Sequence, residues 1–308
     1  MTIMSTIETR QQSAPISETG RVWIWSGWRR LLQRLGLLAA VTVGVGLVYL
    51  LVIEPWHMNW GATAAEIQQT WPGDKPNAHY VTTHAVTIQA PPEAIWPWIV
   101  QMGQGRGGLY SYELLENLAG SDLHNADRLH PEWQHLEVGD AIRPVPEGYL
   151  GLTDSPKYTV VAIKPNQFLV LDLFGTFILE PINEQATRLI VRQNGNSALE
   201  AMEPFNFIMG WRMMLGIKER VEGSLRPSLF DVVEVALWAV AFIASGLAGL
   251  WVLVQREWQR PFVALVSVIA ILLLLIFGRP PLWVSILLDM SIFIALVWAW
   301  LAKGKRLT

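Results

Sequence analysis

The chain has 308 residues, of which 52% are hydrophobic and 16% charged, with a net charge of −3. An ordinary soluble domain carries roughly 25% charged residues, so the composition leans toward a membrane protein. The absence of cysteine excludes a disulfide framework and thiolate-based metal or redox chemistry, and the near-neutral charge gives no electrostatic footprint for nucleic acid.

Residues 1–34 read as a cytoplasmic tail, disordered in part, that carries Arg10, Arg21, Arg29, Arg30 and Arg34. Leu35–Ile53 follows, 19 residues without a charge, close to the roughly 20 that cross a bilayer core. It is longer than the roughly 7–15 apolar residues of a cleaved signal peptide, so a retained signal anchor over 35–54 is expected. Residues 55–228 then form one domain with 19 acidic and 12 basic residues.

Within that domain, Thr82–Gln89 is β-rich and reads as a strand. Pro91-Pro92-Glu93 opens a helix, since proline at the first turn lacks only an N–H that would have no partner there. Ile95, Trp98, Ile99 and Met102 give that helix an apolar face. Gly103–Gly108 ends it and reads as a flexible connector, followed by a short helix over Tyr110–Leu118. The period then changes to short β-prone runs at Val138–Val145, Tyr149–Thr153, Tyr158–Lys164, Phe168–Leu173, Thr176–Ile182 and Arg188–Gln193, separated by turn signals such as Pro146-Glu147-Gly148. Six closely spaced strands imply an antiparallel meander. A long helix from about Leu199 to Val221 closes the domain, with Met202, Phe205, Met209 and Met213 on one face and Pro204 tolerated in its first turns.

This order, together with the runs VTIQAPPEAIWPWIVQMGQGRGGLYSYELLENLAG, HNADRLHPEWQHLEVGD and MLGIKERVE, resembles the START-like helix-grip (SRPBCC) superfamily, in its polyketide cyclase/dehydrase and lipid-transport branch. The resemblance covers about Trp56–Glu222 and none of the apolar stretches. It implies an α+β fold in which a curved antiparallel sheet wraps the long C-terminal helix around an apolar cavity. On that reading Trp98, Met102, Tyr110, Met202, Phe205, Met209 and Met213 are the candidate ligand-binding residues. Methionine suits a surface that accepts varied apolar groups, and it equally suits a filled core, so both readings of the face stay open.

Candidates for chemistry are sparser. His124, Asp127 and Tyr110 are the weak candidate acid/base residues of a cyclase-like enzyme. His124, His130 and His135 lack the close spacing of a zinc helix, so no metal is expected. Gly103–Gly108 follows a helix and is not followed by Lys-Ser/Thr, so no nucleotide cofactor is expected either.

Residues 229–302 hold three further apolar stretches, Val235–Val254, Pro261–Phe277 and Leu282–Leu301, and 303–308 form a second tail. Ten basic residues cluster on one predicted side: the five arginines of the N-terminal tail, Arg256, Arg260, Lys303, Lys305 and Arg306. Positive charge near span ends stays cytoplasmic, so both termini are expected inside and the domain outside. Trp56, Trp60, Trp251 and Trp258 fit the headgroup level. Asp289 lies mid-span, where a carboxylate costs about 2.5–3.5 kcal/mol on insertion scales. It is expected to bond Ser245 or Ser267, or to serve function, whereas Asp231 and Glu234 are expected to reach water at the outer span end.

Three functions compete. The preferred one is a membrane-tethered domain that binds or transfers a hydrophobic small molecule or lipid. The others are a cyclase/dehydrase-type enzyme and a scaffold in which ligand occupancy alters the packing of the spans.

Overall fold

The computed structural model describes residues 18–78, 80–195, 202–255 and 257–301. Arg10, His79, Arg256, Lys303, Lys305 and Arg306 lie outside the described residues, as do positions 199–201 at the head of the expected long helix. Helix α1 (Glu18–Val48) continues through one π-helical turn, Tyr49–Ile53, into the short α2 (Glu54–His57). The expected tail is therefore helical from Glu18, because the run Trp28–Leu35 is rich in good helix formers and extends the apolar helix backward. Its segment Gly27–His57 is long and apolar enough to cross a membrane.

The segment that follows is pinned before the first strand begins. Helix α3 (Ala64–Gln68) opens with a reciprocal cap: Thr63 Oγ1 accepts from Glu66 N at 3.2 Å, and Glu66 Oε2 accepts from Thr63 N at 2.7 Å. The domain then runs β1 (Tyr80–Ile88), α4 (Pro92–Val100), α5 (Glu113–Leu118), β2 (Ala141–Ile142), β3 (Tyr158–Lys164), β4 (Phe168–Leu171), β5 (Gly175–Asn183), β6 (Ala186–Gly195) and α6 (Glu203–Val221). The strands form one six-stranded sheet in the order β1-β6-β5-β4-β3-β2, with every neighbour antiparallel.

Alternation along the strands gives the sheet two buried faces. Leu169, Phe177, Leu189 and Val191 pack with Ile95 and Ile99 of α4 and with Met213, Met214 and Ile217 of α6. On the opposite face Ala85, Ile178 and Ile190 pack with Trp71. Two ion pairs hold that outer cover down, Arg188–Glu66 at 2.7 Å and Arg192–Asp74 at 2.8 Å.

Two of the expected strands change. Tyr149–Thr153 contains the 3-10 turn Tyr149–Gly151, flanked and interrupted by left-handed backbone at Gly148 (φ 74°), Leu150 (φ 51°) and Gly151 (φ 78°). The two glycines make that path accessible and exclude a regular strand. The expected strand Val138–Val145 pairs only over Ala141–Ile142.

Three helices complete the described residues: α7 (Ser228–Val254), α8 (Gln259–Leu273, extended by the π-turn Leu274–Gly278) and α9 (Leu282–Leu301). With the first apolar helix, α7 and the extended α8 make three helices among the described residues that are long and apolar enough to cross a membrane, and α9 adds the shorter apolar stretch Leu282–Trp298. Tyr112 of the domain sits in one hydrophobic cluster with Val235 and Trp238 of α7, Val268 of α8 and Ile292 of α9, and Ile208 and Met209 of α6 pack against it. Helix α6 is thus shared: one face closes the sheet, and another rests on the apolar helices.

A charged network surrounds this junction. Arg212 of α6 pairs with Asp231 and Glu219, both at 3.0 Å. Arg226, in the link to α7, pairs with Glu234 at 2.8 Å. Arg279 pairs with the same Glu234 at 3.2 Å, and its guanidinium lies 4.0 Å from the centre of the Trp211 ring. Glu234 is therefore buried and not a solvated span-end residue, while Asp231 stays half-buried; three arginines converge on the pair. Asp289 is buried too, and both of its carboxylate oxygens lack a hydrogen-bond partner. The expected bond to Ser245 or Ser267 is absent, and the Ser245 hydroxyl donates instead to the Phe242 carbonyl at 2.7 Å.

Candidate functional site: a cavity between the sheet and the long helix

A cavity of about 230 Å³ lies between α6 and the sheet. Phe205, Met209 and Met213 form its helical wall at i, i+4, i+8 spacing, and Gly210 widens it. A Cβ added at Gly210 would meet nothing within 4 Å. Tyr158, Leu173 and Phe174 supply the sheet side, while Leu109, Ala119 and Leu123 close it from the segment around α5. Leu173 and Phe205 are exposed as well as lining, so the opening of the cavity is apolar.

The expected ligand-binding residues divide. Phe205, Met209 and Met213 line the cavity, as does the segment beside Tyr110 through Leu109 and Ser111. Trp98 and Met102 are buried in the packed cluster under the sheet and line neither this cavity nor the polar recess described below. Met202 is exposed, one residue before the helix begins. The i, i+4 rule identifies a face but cannot tell a wall from a filled core, and here the same rule gives one of each.

Glu116 is the cavity-lining residue that sequence reasoning missed. It lines the cavity from α5, is buried, and its Oε2 has no hydrogen-bond partner. Burial, with the like charge of Glu113 one turn earlier, pushes its carboxyl up to about 8. The run Glu113–Leu118 holds two glutamates of the same chemical kind, and nothing local marks the second as the buried one.

The weak acid/base candidates do not converge. His124 is exposed and lies 3.4 Å from the exposed Asp122. Asp127 is exposed too, at the rim of a second, polar recess of about 260 Å³ that Tyr110, Arg212, Arg220 and Arg226 also line. Tyr110 is buried with φ 58°, and its hydroxyl donates to the Trp98 carbonyl and accepts from Gln101 Nε2, both at 3.0 Å. Burial pushes that phenol up to about 12, which holds it neutral.

The glycine run is a tight structure, not a loose connector. Gly103 and Gly108 exchange backbone hydrogen bonds at 2.8 and 3.0 Å, and a Cβ at Gly107 would press on the Tyr110 hydroxyl and the Gln101 carbonyl. Arg106 does not approach the cavity, because its guanidinium donates to the carbonyls of Val100 and Trp133 at 2.8 and 2.6 Å.

A second buried polar cluster lies where α2 meets α6. His57 Nε2 and the Tyr49 hydroxyl are 2.9 Å apart, and His84 Nε2 donates to the His57 carbonyl at 2.8 Å. Phe207 stacks on His57 with ring centres 4.9 Å apart. Glu203 lies 3.9 Å from His57 Nδ1, and neither of its carboxylate oxygens has a hydrogen-bond partner. Burial and then Glu54 push Glu203 up to about 8, and burial holds His84 down to about 4.

No family model matches the chain, and no curated protein matches it. Among solved structures it is similar to a conserved protein of unknown function from Enterococcus faecalis, at 13% identity over 46% of this chain and 70% of that one, with a TM-score of 0.31. It is also similar to a protein from Mesorhizobium loti, at 18% identity over 47% of this chain and 98% of that one, with a TM-score of 0.30.

Proposed function

We propose that the chain is a START-like helix-grip domain tethered to a membrane, and that it binds or transfers a hydrophobic small molecule or lipid in the cavity beside α6. The observation that carries this reading is the cavity itself: an apolar wall of Phe205, Met209 and Met213 in a domain whose closing helix rests on membrane-type helices. The apolar lining favours binding over catalysis, since the acid/base candidates His124 and Asp127 are exposed. In this reading α9 is the fourth span, both termini are cytoplasmic and the domain is extracytoplasmic, which the ten clustered basic residues support. A domain fixed at the bilayer surface has a short path between membrane and cavity.

The test is extraction. Full-length protein purified from membranes in mild detergent is treated with organic solvent, and the extract is analysed by mass spectrometry. A defined apolar species near one per chain is the expected result. Only the bulk lipid mixture, in the proportions of the surrounding membrane, would argue against it.

One contact also favours a sensing role. Met209 lines the cavity and packs against the cluster formed with α7, α8 and α9, so a ligand that shifts its side chain also shifts a contact of the spans.

A further inference from the structure

The cavity wall is apolar except for a few side chains, and most of these already have partners. Ser111 Oγ donates to the Met209 carbonyl at 3.0 Å, Gln193 Oε1 lies 3.5 Å from the Thr82 hydroxyl, and Asn194 Nδ2 donates to Asp74 at 3.3 Å. Glu116 differs. It is 7% exposed, it is the one Asp, Glu, Lys, Arg or His on the wall among the described residues, and its Oε2 is unpartnered. A buried polar atom left without a partner costs roughly 1–3 kcal/mol, and among the described residues no side chain offsets that cost here.

We infer that Glu116 is the polar anchor of the cavity, hydrogen-bonding a neutral oxygen function, a hydroxyl or a carbonyl, at one end of an otherwise apolar ligand. This rests on the proposal that the cavity holds a ligand. The chemistry selects a neutral group. A carboxyl raised to about 8 is protonated near neutral pH, so it donates through its O–H and accepts through its other oxygen. A hydroxyl or carbonyl meets that pair without bringing charge into an apolar space. An alkylammonium would require Glu116 to ionise there, beside Glu113, and would leave a buried ion pair whose desolvation offsets its attraction.

The test uses the full-length protein in nanodiscs and equilibrium dialysis of radiolabelled 1-decanol, decane and decylamine, with empty nanodiscs subtracted for bulk partitioning. Three chains are compared: wild type, Glu116→Gln and Glu116→Leu. Glutamine keeps a donor and an acceptor, whereas leucine removes both. Wild type and Glu116→Gln are expected to hold decanol about tenfold more tightly than Glu116→Leu, the scale of one net hydrogen bond, while decane binds all three alike. If wild type binds decanol no better than Glu116→Leu does, the anchor is wrong although the cavity stands. Decylamine binding wild type more tightly than decanol would overturn the neutral class of ligand. Failure of all three probes on all three chains would overturn the underlying cavity reading instead.

Discussion

Glu203 and Glu116 set the behaviour expected at the scale of single residues. Both carboxyls are pushed up to about 8 in the folded chain. The folded state therefore holds protons that the unfolded chain releases near its ordinary carboxyl value. The sign follows from linkage: the stabilisation is complete below about pH 4.5 and is lost as pH rises toward 8. Thermal unfolding of the nanodisc-embedded chain between about pH 5 and 8 should show a falling Tm, and Glu203→Gln should flatten part of that fall, worth on the order of a few kcal/mol. A slope unchanged in Glu203→Gln would mean that the carboxyl is not held protonated. Legibility at this scale was uneven. The helical period picked out Phe205, Met209 and Met213, since spacing alone aligns them on one face. It could not separate them from Trp98 and Met102, whose spacing is equally good and whose surroundings are filled. The meeting of His57, His84 and Glu203 depends on contacts across 27 or more positions, which no local pattern encodes.

At the scale of elements, α6 is held by close approach on one side and by charge on the other. Gly216 packs directly on the Tyr110 backbone, so Gly216→Ala should push α6 away from the segment that closes the cavity, costing about 1–3 kcal/mol. Arg212 joins α6 to α7 through Asp231. Removing one partner of a buried pair leaves a bare charge, so Arg212→Leu should lower stability by roughly 3–5 kcal/mol. Denaturation of each variant, followed by tryptophan emission, measures both effects, and a loss below about 0.5 kcal/mol in either would remove that contact from the account. The element order was largely readable, because periods of 3.6 and 2 distinguish the long helix from the meander. Tyr149–Thr153 failed because Gly148 just before it and Gly151 within it take left-handed backbone, which outweighs the β propensity of Tyr149. The strand Val138–Val145 shrank because its regular ladder with β3 covers only Ala141 and Ile142, while Gly139 and Asp140 bond the Val160 backbone outside that ladder.

At the scale of the whole molecule, the sequence showed apolar stretches flanking a polar segment but not how closely the two are joined. That joint consists of Tyr112 and Met209 against α7, and of Arg212, Arg226 and Arg279 around Asp231 and Glu234. Its residues come from distant parts of the chain, so composition could not reveal it. The proposed orientation has its own test. The chain lacks cysteine, so a single cysteine at the exposed Leu118 reports on the domain alone. A membrane-impermeant maleimide should label Leu118→Cys in intact cells, and labelling only after lysis would reverse the proposed topology.

The central claim is that the cavity beside α6 is occupied by an apolar ligand, and Gly210→Phe tests it most directly. An added Cβ at Gly210 meets no neighbour within 4 Å, so the ring can grow into the cavity, and replacing a mid-helix glycine removes a residue that costs about 1 kcal/mol against alanine. The measurement is solvent extraction and mass spectrometry of wild type and Gly210→Phe, purified in parallel from the same membranes. The account predicts an apolar species near one per chain in wild type and its loss from a folded Gly210→Phe. Equal amounts of every extracted species in the two proteins would contradict it.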